Sequence, residues 1–134
     1  MDPRKLGELI NKPYESSEVQ AFVNTLGTPE IDKELGAPKG IYYIFKPEGV
    51  TLITASATNR VSTIFLKAPL AGKPGYLKPL PYGLNFSMSR AQVLQSVRAP
   101  DGTESFYDAW EEGSHILRVE YKQGAIKMVI LMGG

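Results

Sequence analysis

The side chains that could carry out chemistry are few in this chain of 134 residues. It has no cysteine and one histidine, His115, which excludes thiol catalysis, disulfide bonds, thiolate metal sites and a pair of histidine ligands. No serine lies in a G-x-S-x-G turn, and the glycines form no phosphate-binding G-x-x-x-x-G-K-S/T motif. Asp108 and Glu112 could act as general acid and base, but no recognisable pocket surrounds them. The sequence therefore predicts a protein that is not an enzyme and has no metal or cofactor.

Charged residues are segregated along the chain, although the net charge is only +1. Residues 1–48 carry six basic and eight acidic side chains, residues 49–100 six basic and none acidic, and residues 101–134 three basic and six acidic. Five acids lie within 101–112: Asp101, Glu104, Asp108, Glu111 and Glu112. They form either a solvated loop and edge or an acidic patch that attracts a basic partner. The basic residues are too scattered to predict nucleic-acid binding.

A predicted β-hairpin, ILRVEYKQGAIKMVILM at 116–132, is the element that would position this charged region. Gln123 and Gly124 supply its loop, and His115, just before it, is typical of a structural or surface imidazole rather than a general base. One face would hold three apolar cross-strand pairs: Tyr121 with Ile126, Val119 with Met128, and Leu117 with Ile130. The other would pair Glu120 with Lys127 and also carry Arg118, Val129 and Leu131.

Helix signals precede this hairpin and a similar one at 50–68 that turns near Asn59. Ser17 with Gln20, and Ser89 with Gln92, have the spacing of capping boxes. A further short helix is expected after Pro3, where Gly7 weakens it. The remaining elements are a charged turn at 30–40 and aromatic strands at 41–45 and 105–111.

The order of capped helix, Pro-acid dipeptide, aromatic strand, glycine turn and hairpin occurs twice, with residues 61–66 aligned on 126–131. The sequence thus predicts an α+β fold in a single compact domain, 1–134. Two tandem helix-plus-antiparallel-β-meander repeats, 14–68 and 86–134, would form a curved sheet with the helices packed on one face. The Pro-rich stretch 69–85 is interpreted as a connector rather than as a polyproline ligand.

Aromatic and charged residues on the sheet favour protein recognition. An exposed face with aromatics, arginine and a few apolar side chains has the composition of a protein-binding surface. The predicted partner-binding residues are Tyr42, Tyr43, Asp108, Trp110, Glu111, Glu112, Arg118, Glu120 and Lys127. For Trp110, core packing is the alternative interpretation.

A family resemblance is carried by FSMSRAQVLQSVRAP, DAWEEG and LRVEYKQGAIKMVILM. These segments resemble the small module shared by β-lactamase inhibitor proteins and the SmpA/OmlA outer-membrane lipoproteins of the barrel-assembly machinery. The tandem pair joined by PLPYGLNFSMSR is more similar to cytosolic immunity proteins encoded beside bacterial polymorphic and type VI secretion toxins. The chain departs from the lipoproteins by having no lipobox cysteine, and from the secreted inhibitors by having no disulfides and no signal peptide. The resemblance implies a curved two-repeat sheet whose concave face binds another protein.

The expected function is that of a cytoplasmic immunity protein, which binds a cognate toxin and neutralises it by steric and electrostatic blocking. No apolar run approaches the ~18 to 20 residues that span a bilayer, so no membrane partner is expected. The alternative is a scaffold of the same fold that binds a small ligand or serves envelope assembly; it would show a closed apolar pocket between helices and sheet.

Overall fold

Eight strands form one antiparallel sheet in the computed structural model, which describes residues 3–33, 39–70 and 73–133. The strands are β1 (Glu30–Asp32), β2 (Ile41–Phe45), β3 (Val50–Thr54), β4 (Val61–Lys67), β5 (Gly102–Glu104), β6 (Tyr107–Glu111), β7 (Ile116–Lys122) and β8 (Ala125–Met132). Their order across the sheet is β1-β2-β3-β4-β8-β7-β6-β5. Each half of the chain therefore contributes a four-stranded meander, and the two meanders meet where β4 pairs with β8.

The predicted hairpins and the coarse α+β class are confirmed, whereas the two edge strands were not expected. Strand β1 lies in the stretch that was predicted to be a turn, 30–40, of which residues 34–38 fall outside the described part. Strand β5 precedes the predicted aromatic strand, which begins at Tyr107 rather than at Ser105. Both edge strands are three residues long, too short for an alternating pattern to predict them.

Two short α-helices precede the two meanders. Helix α1 (Ser17–Val23) is capped by Ser16 and not by Ser17, since the Ser16 hydroxyl accepts a hydrogen bond from the Val19 amide. Helix α2 (Arg90–Ser96) has the predicted capping box of Ser89 and Gln92 in full. The remaining helical segments are 3-10 turns at Pro3–Leu9, Lys46–Glu48 and Pro81–Gly83. None of the described helices is long and apolar enough to cross a bilayer.

The core lies on one face of the sheet, hereafter the core face. Alternate residues of the central strands are buried there with the buried side chains of both α-helices. The strands contribute Tyr43, Phe45, Val50, Leu52, Val61, Ile64, Leu66, Trp110, Leu117, Val119, Tyr121, Ile126, Val129 and Leu131. The connector adds Tyr76, Leu80 and Leu84, which ties it to the same core although Ala71 and Gly72 are outside the described residues.

A β-bulge at Lys127 changes the predicted register of the last hairpin. Tyr121 does face Ile126, but Glu120 then faces Met128, so Lys127 has no partner of its own on β7. Beyond the bulge every β8 residue is shifted by one, and a shift of one residue exchanges the two faces of a strand. Val129 and Leu131, predicted to face outwards, are therefore buried in the core, and the predicted pairing of Glu120 with Lys127 is wrong.

The first hairpin has a bulge at the matching place. Ile53 faces Thr63 and Thr54 faces Val61, which leaves Ser62 as the extra residue of β4. The pairing of β4 with β8 is symmetric about Phe65 and Ile130, with Ile64 opposite Leu131 on one side and Leu66 opposite Val129 on the other. Counted outwards from this central pair, the positions from Thr54 and Val61 in the first hairpin correspond to those from Tyr121 and Ile126 in the second, whereas the hairpin loops differ in length.

Candidate protein-binding face of the sheet

The face opposite the core, hereafter the outer face, combines apolar and charged side chains. It includes Glu30, Asp32, Tyr42, Ile44, Thr51, Ile53, Thr63, Phe65, Lys67, Glu104, Tyr107, Ala109, Glu111, Ile116, Arg118, Glu120, Met128, Ile130 and Met132. Ile53 and Ile130 are buried, while Ile44, Phe65 and Met128 are partly exposed. The buried side chains of α1 and α2 all belong to the core cluster on the other side.

Arg118 is the most constrained charged residue of this face. Its guanidinium carbon lies 3.8 Å from the centroid of the Tyr107 ring and 5.6 Å from that of Phe106. The same group forms a 3.0 Å ion pair with Glu120, and its side chain is 27% exposed. Arginine held flat over aromatic rings loses little conformational entropy on binding and still offers donors to a partner. The Nε atom, by contrast, is buried and has no hydrogen-bond partner among the described residues.

Asp108 is not part of a surface patch, because it is 1% exposed and pairs with Arg90. The Arg90 guanidinium donates to both carboxylate oxygens, at 3.0 and 2.9 Å, and the hydroxyls of Thr103 and Tyr121 donate at 2.5 and 3.0 Å. Burial alone would raise the pKa of Asp108, but the hydrogen bonds from Arg90, Thr103 and Tyr121 outweigh it and hold the pKa below its usual value. The Asp108 carboxylate therefore stabilises the folded structure and is not available to a partner.

A second arginine partly neutralises the rest of the acidic run. Arg98 donates to the carboxylate of Asp101 at 2.9 Å and lies 3.8 Å from that of Glu112. Its side chain also donates to the Glu111 carbonyl at 2.6 Å. Within the described residues, only Glu104 and Glu111 of the five acids have no ion pair, so the interpretation as a strong acidic patch is not supported.

Three predicted partner-binding aromatics are buried. Trp110 has no exposed surface, and its indole N–H donates to the Arg98 carbonyl at 2.5 Å. Tyr43 stacks on Tyr14 with 3.8 Å between centroids, and Tyr42 is 8% exposed. The prediction that these side chains present a contact surface is therefore corrected, as it is for Asp108. For Trp110 the alternative interpretation, core packing, is the correct one.

The other predicted partner-binding residues are at least partly exposed, but they do not all lie on the same face of the sheet. Arg118, Glu120 and Glu111 share the outer face, whereas Glu112 lies in the turn between β6 and β7. Lys127 is exposed at the bulge. Sequence reasoning missed the grouping of Lys46, Lys67 and Lys73 around a recess in the outer face. Six basic and no acidic residues within 49–100, which include Lys67 and Lys73, were a signal for it.

Two adjoining depressions lie on the half of the outer face that belongs to the first meander. One, of about 310 Å³, is lined by Tyr42, Ile44, Thr51, Phe65, Lys67 and Met128. The other, of about 490 Å³, is lined by Ile44, Lys46, Gly49, Val50, Thr51, Lys67, Lys73 and Pro74. They share Ile44, Thr51 and Lys67 and so form one elongated recess. No acidic side chain among the described residues lines either of them.

His115 is a buried structural imidazole. Its Nε2 lies 2.5 Å from the Tyr82 hydroxyl and its Nδ1 lies 3.0 Å from the Ser114 hydroxyl. Its ring also packs against Gly7, where a β-carbon would overlap it, so the glycine that weakens the first helix is needed for this contact. Burial lowers the pKa of His115, and nearby Glu112 partly opposes this. No cluster of three or more histidine, aspartate or glutamate side chains in the described residues could hold a metal ion.

Comparison with known proteins gives no relative. No family model, no curated protein and no solved structure matches this chain significantly.

Proposed function

We propose that the protein is an immunity protein, which binds a cognate bacterial toxin in the cytoplasm and neutralises it by steric and electrostatic blocking. The observation that carries this proposal is the outer face. Arg118 is oriented there by Tyr107 and Glu120, beside the partly exposed side chains of Phe65 and Met128. Aromatic residues, methionine and arginine are the residue types enriched at protein interfaces.

The proposed architecture is a pair of tandem repeats, 14–68 and 86–134, joined by the connector 69–85. Its support is the matched bulges at Ser62 and Lys127 and the symmetric pairing about Phe65 and Ile130. The alignment of 61–66 on 126–131 places the two bulge residues on each other. With the helices of both repeats on the core face, the outer face is left as one continuous surface for a partner.

The proposed mechanism is exclusion of the toxin's substrate. A toxin segment lying across β4 and β8 would contact the partly exposed Phe65 and Met128, with Arg118 at one side. Removal of a central arginine or aromatic anchor typically costs about 2 kcal/mol of binding free energy. Because 27% of the Arg118 side chain is exposed, the side chain is accessible to a toxin carbonyl or carboxylate.

The test is co-expression with the product of the neighbouring open reading frame. We expect a stoichiometric complex that abolishes toxicity, and Arg118→Ala should weaken it about 30-fold, the equivalent of about 2 kcal/mol. Arg60→Ala is the matched control, since Arg60 lies outside the outer face and donates to the Asn11 carbonyl. Toxicity that persists with wild-type protein would overturn the function, and equal affinity of both variants would overturn the assignment of the outer face.

The second candidate, a scaffold that binds a small ligand, is favoured by one observation. The larger depression of the recess, of about 490 Å³, has a volume within the usual range of small-molecule sites. It lies on the outer face rather than between helices and sheet. A thermal shift caused by a metabolite or fatty acid, in the absence of any protein partner, would support this candidate over the first.

A further inference from the structure

The elongated recess on the outer face has an apolar floor and a basic rim. Ile44, Phe65 and Met128 supply partly exposed apolar surface, and Tyr42 is buried beneath. The rim consists of three exposed lysines: Lys46, Lys67 and Lys73.

The recess exists because the two meanders differ at one pair of equivalent positions. Thr51 faces Phe65 in the first meander, and Arg118 faces Ile130 in the second. In the second meander the Arg118 side chain lies over Tyr107, whereas the short side chain of Thr51 leaves Ile44 partly exposed. The β8 bulge completes the recess, since it turns Met128 to the outer face opposite Lys67.

The rim lysines form no ion pair within the described chain, although Glu30, which faces Ile44, and Glu48, in the same turn as Lys46, lie near the recess. In residues 3–33, 39–70 and 73–133, no ion pair involves Lys46, Lys67 or Lys73. Residues 49–100 contain no aspartate or glutamate. This differs from Arg90, Arg98 and Arg118, each of which has a carboxylate partner.

The rim is also held in place by close backbone contacts. Gly49 has φ of 66°, and a β-carbon there would lie 2.5 Å from the Tyr76 amide nitrogen. The Tyr76 amide donates to the Lys67 carbonyl at 2.9 Å, and the Lys67 amide donates to the Gly49 carbonyl at 2.9 Å. The backbone of strand, turn and connector is therefore fixed at Gly49, Lys67 and Tyr76.

We propose that this recess takes an acidic segment of a partner protein, in which one large apolar side chain is flanked by carboxylates. The apolar side chain fills the space over Ile44 and Phe65, and the carboxylates pair with the lysine rim. A chain segment fits better than a compact ligand, because Phe65 and Met128 line the smaller depression whereas all three lysines line the larger one, so the ligand must reach across both. The proposal deepens and rests on the toxin-binding function, and it reverses the expected polarity, in which an acidic surface met a basic partner.

The binding test uses a short synthetic peptide with a central Trp-Leu pair flanked by glutamates, and the same peptide with lysines in place of the glutamates. Amide chemical shifts of isotopically labelled protein are followed during titration. We expect only the glutamate peptide to saturate, with the largest shifts at Ile44, Thr51 and Lys67. Lys46→Glu with Lys67→Glu should weaken it about tenfold. Lys5→Glu, the same charge change on an exposed lysine of the first 3-10 helix, should not.

Three results would overturn the proposal: equal binding of both peptides, shifts centred elsewhere, or saturation by laurate with no response to the glutamate peptide. Its failure can be separated from failure of the toxin-binding function. If the toxin is neutralised equally by wild type and by the Lys46→Glu, Lys67→Glu protein, the function stands and this site is wrong. If the glutamate peptide binds at the recess but the neighbouring gene product is harmless, the site stands and the function is wrong.

Discussion

Tyr43 and Asp108 occupy equivalent positions in the two meanders but are stabilised by different chemistry. Each faces the core from the strand before its hairpin, Tyr43 opposite Leu52 and Asp108 opposite Val119. Tyr43 stacks on Tyr14, and its hydroxyl donates to the Asn59 side chain at 3.1 Å. Asp108 instead accepts hydrogen bonds from Arg90 and two hydroxyls. The same place in the sheet thus accepts either a neutral aromatic contact or a buried ion pair.

Tyr43 and Asp108 show that a position in the sheet determines whether a side chain is buried, but not which residue type occupies it. A buried carboxylate is tolerated only where a cation and hydroxyl donors are brought to it. Helix α2 provides that cation, since Arg90 is its first residue and also donates to the Glu104 and Ser105 carbonyls at 2.7 and 3.0 Å. We therefore expect the second meander to be the more vulnerable to loss of a single polar group.

Asp108→Ala should have the largest effect. Arg90 would lose its carboxylate, and the Tyr121 and Thr103 hydroxyls would lose their acceptor, so we expect a loss of about 3 kcal/mol in the free energy of unfolding. Urea denaturation followed by circular dichroism measures it. Asp101→Ala, which removes an exposed carboxylate paired with Arg98, should cost clearly less. Equal losses in the two variants would contradict the structural role given to Asp108.

Asn59→Ala tests the corresponding polar contact of the first meander. The Asn59 side-chain oxygen accepts from the hydroxyls of Tyr43 and Thr54 at 3.1 and 2.7 Å, and its backbone φ is 55°. We expect a loss of about 2 kcal/mol from the unsatisfied hydroxyls and the backbone strain. Asn59→Gly removes the side chain but accepts positive φ, so the difference between the two variants in urea denaturation measures the strain alone. Identical stabilities would show that strain contributes nothing.

Tyr43→Phe should have a smaller effect, because the stacked ring stays and only its hydroxyl is lost. We expect about 1 kcal/mol in the free energy of unfolding. In the Asn59→Ala background the same change should cost almost nothing, since the acceptor is already gone. A thermodynamic double-mutant cycle measures this, and fully additive losses would disprove the contact.

Lowering the pH should affect the second meander in two steps. Burial lowers the pKa of His115, so folding keeps its imidazole neutral; this stability is complete above pH ~6.5 and is lost as the pH falls below it. The lowered pKa of Asp108 means that its stability is complete above pH ~3.8 and is lost below it. In His115→Gln, the free energy of unfolding measured by urea denaturation should therefore no longer fall in the higher pH range. Persistence of that step would assign it to another group.

Elements that depend on residues close together in the sequence could be predicted from it. Alternation predicted the last hairpin and its turn, and the serine and glutamine spacing predicted the start of α2. At α1 the same spacing predicted Ser17 as the cap, but the cap is the preceding residue, Ser16. The bulge at Lys127 was not predictable either, since residues 128–132 are apolar at every position and fit the core in both registers.

The candidate site could be predicted only in part. Arg118 and Glu120 were placed on an exposed face from alternation, and the structure puts both on the outer face together with Glu111. Asp108 was misassigned because its partner Arg90 is distant in sequence and not marked by any motif. The lysine-rimmed recess depends on β8 lying beside β4, a pairing between two hairpins that a local pattern cannot encode.

The position of strand β8 has consequences for how the protein folds while it is being synthesised. It is the last of the eight strands along the chain and yet lies at the centre of the sheet, between β4 and β7. Until β8 leaves the ribosome, β4 is an edge strand whose peptide groups and whose Ile64 and Leu66 side chains have no cross-strand partner on that side. Open apolar edges of this kind pair readily with other chains. The first meander would therefore depend on chaperones or on rapid completion of the second to avoid aggregation.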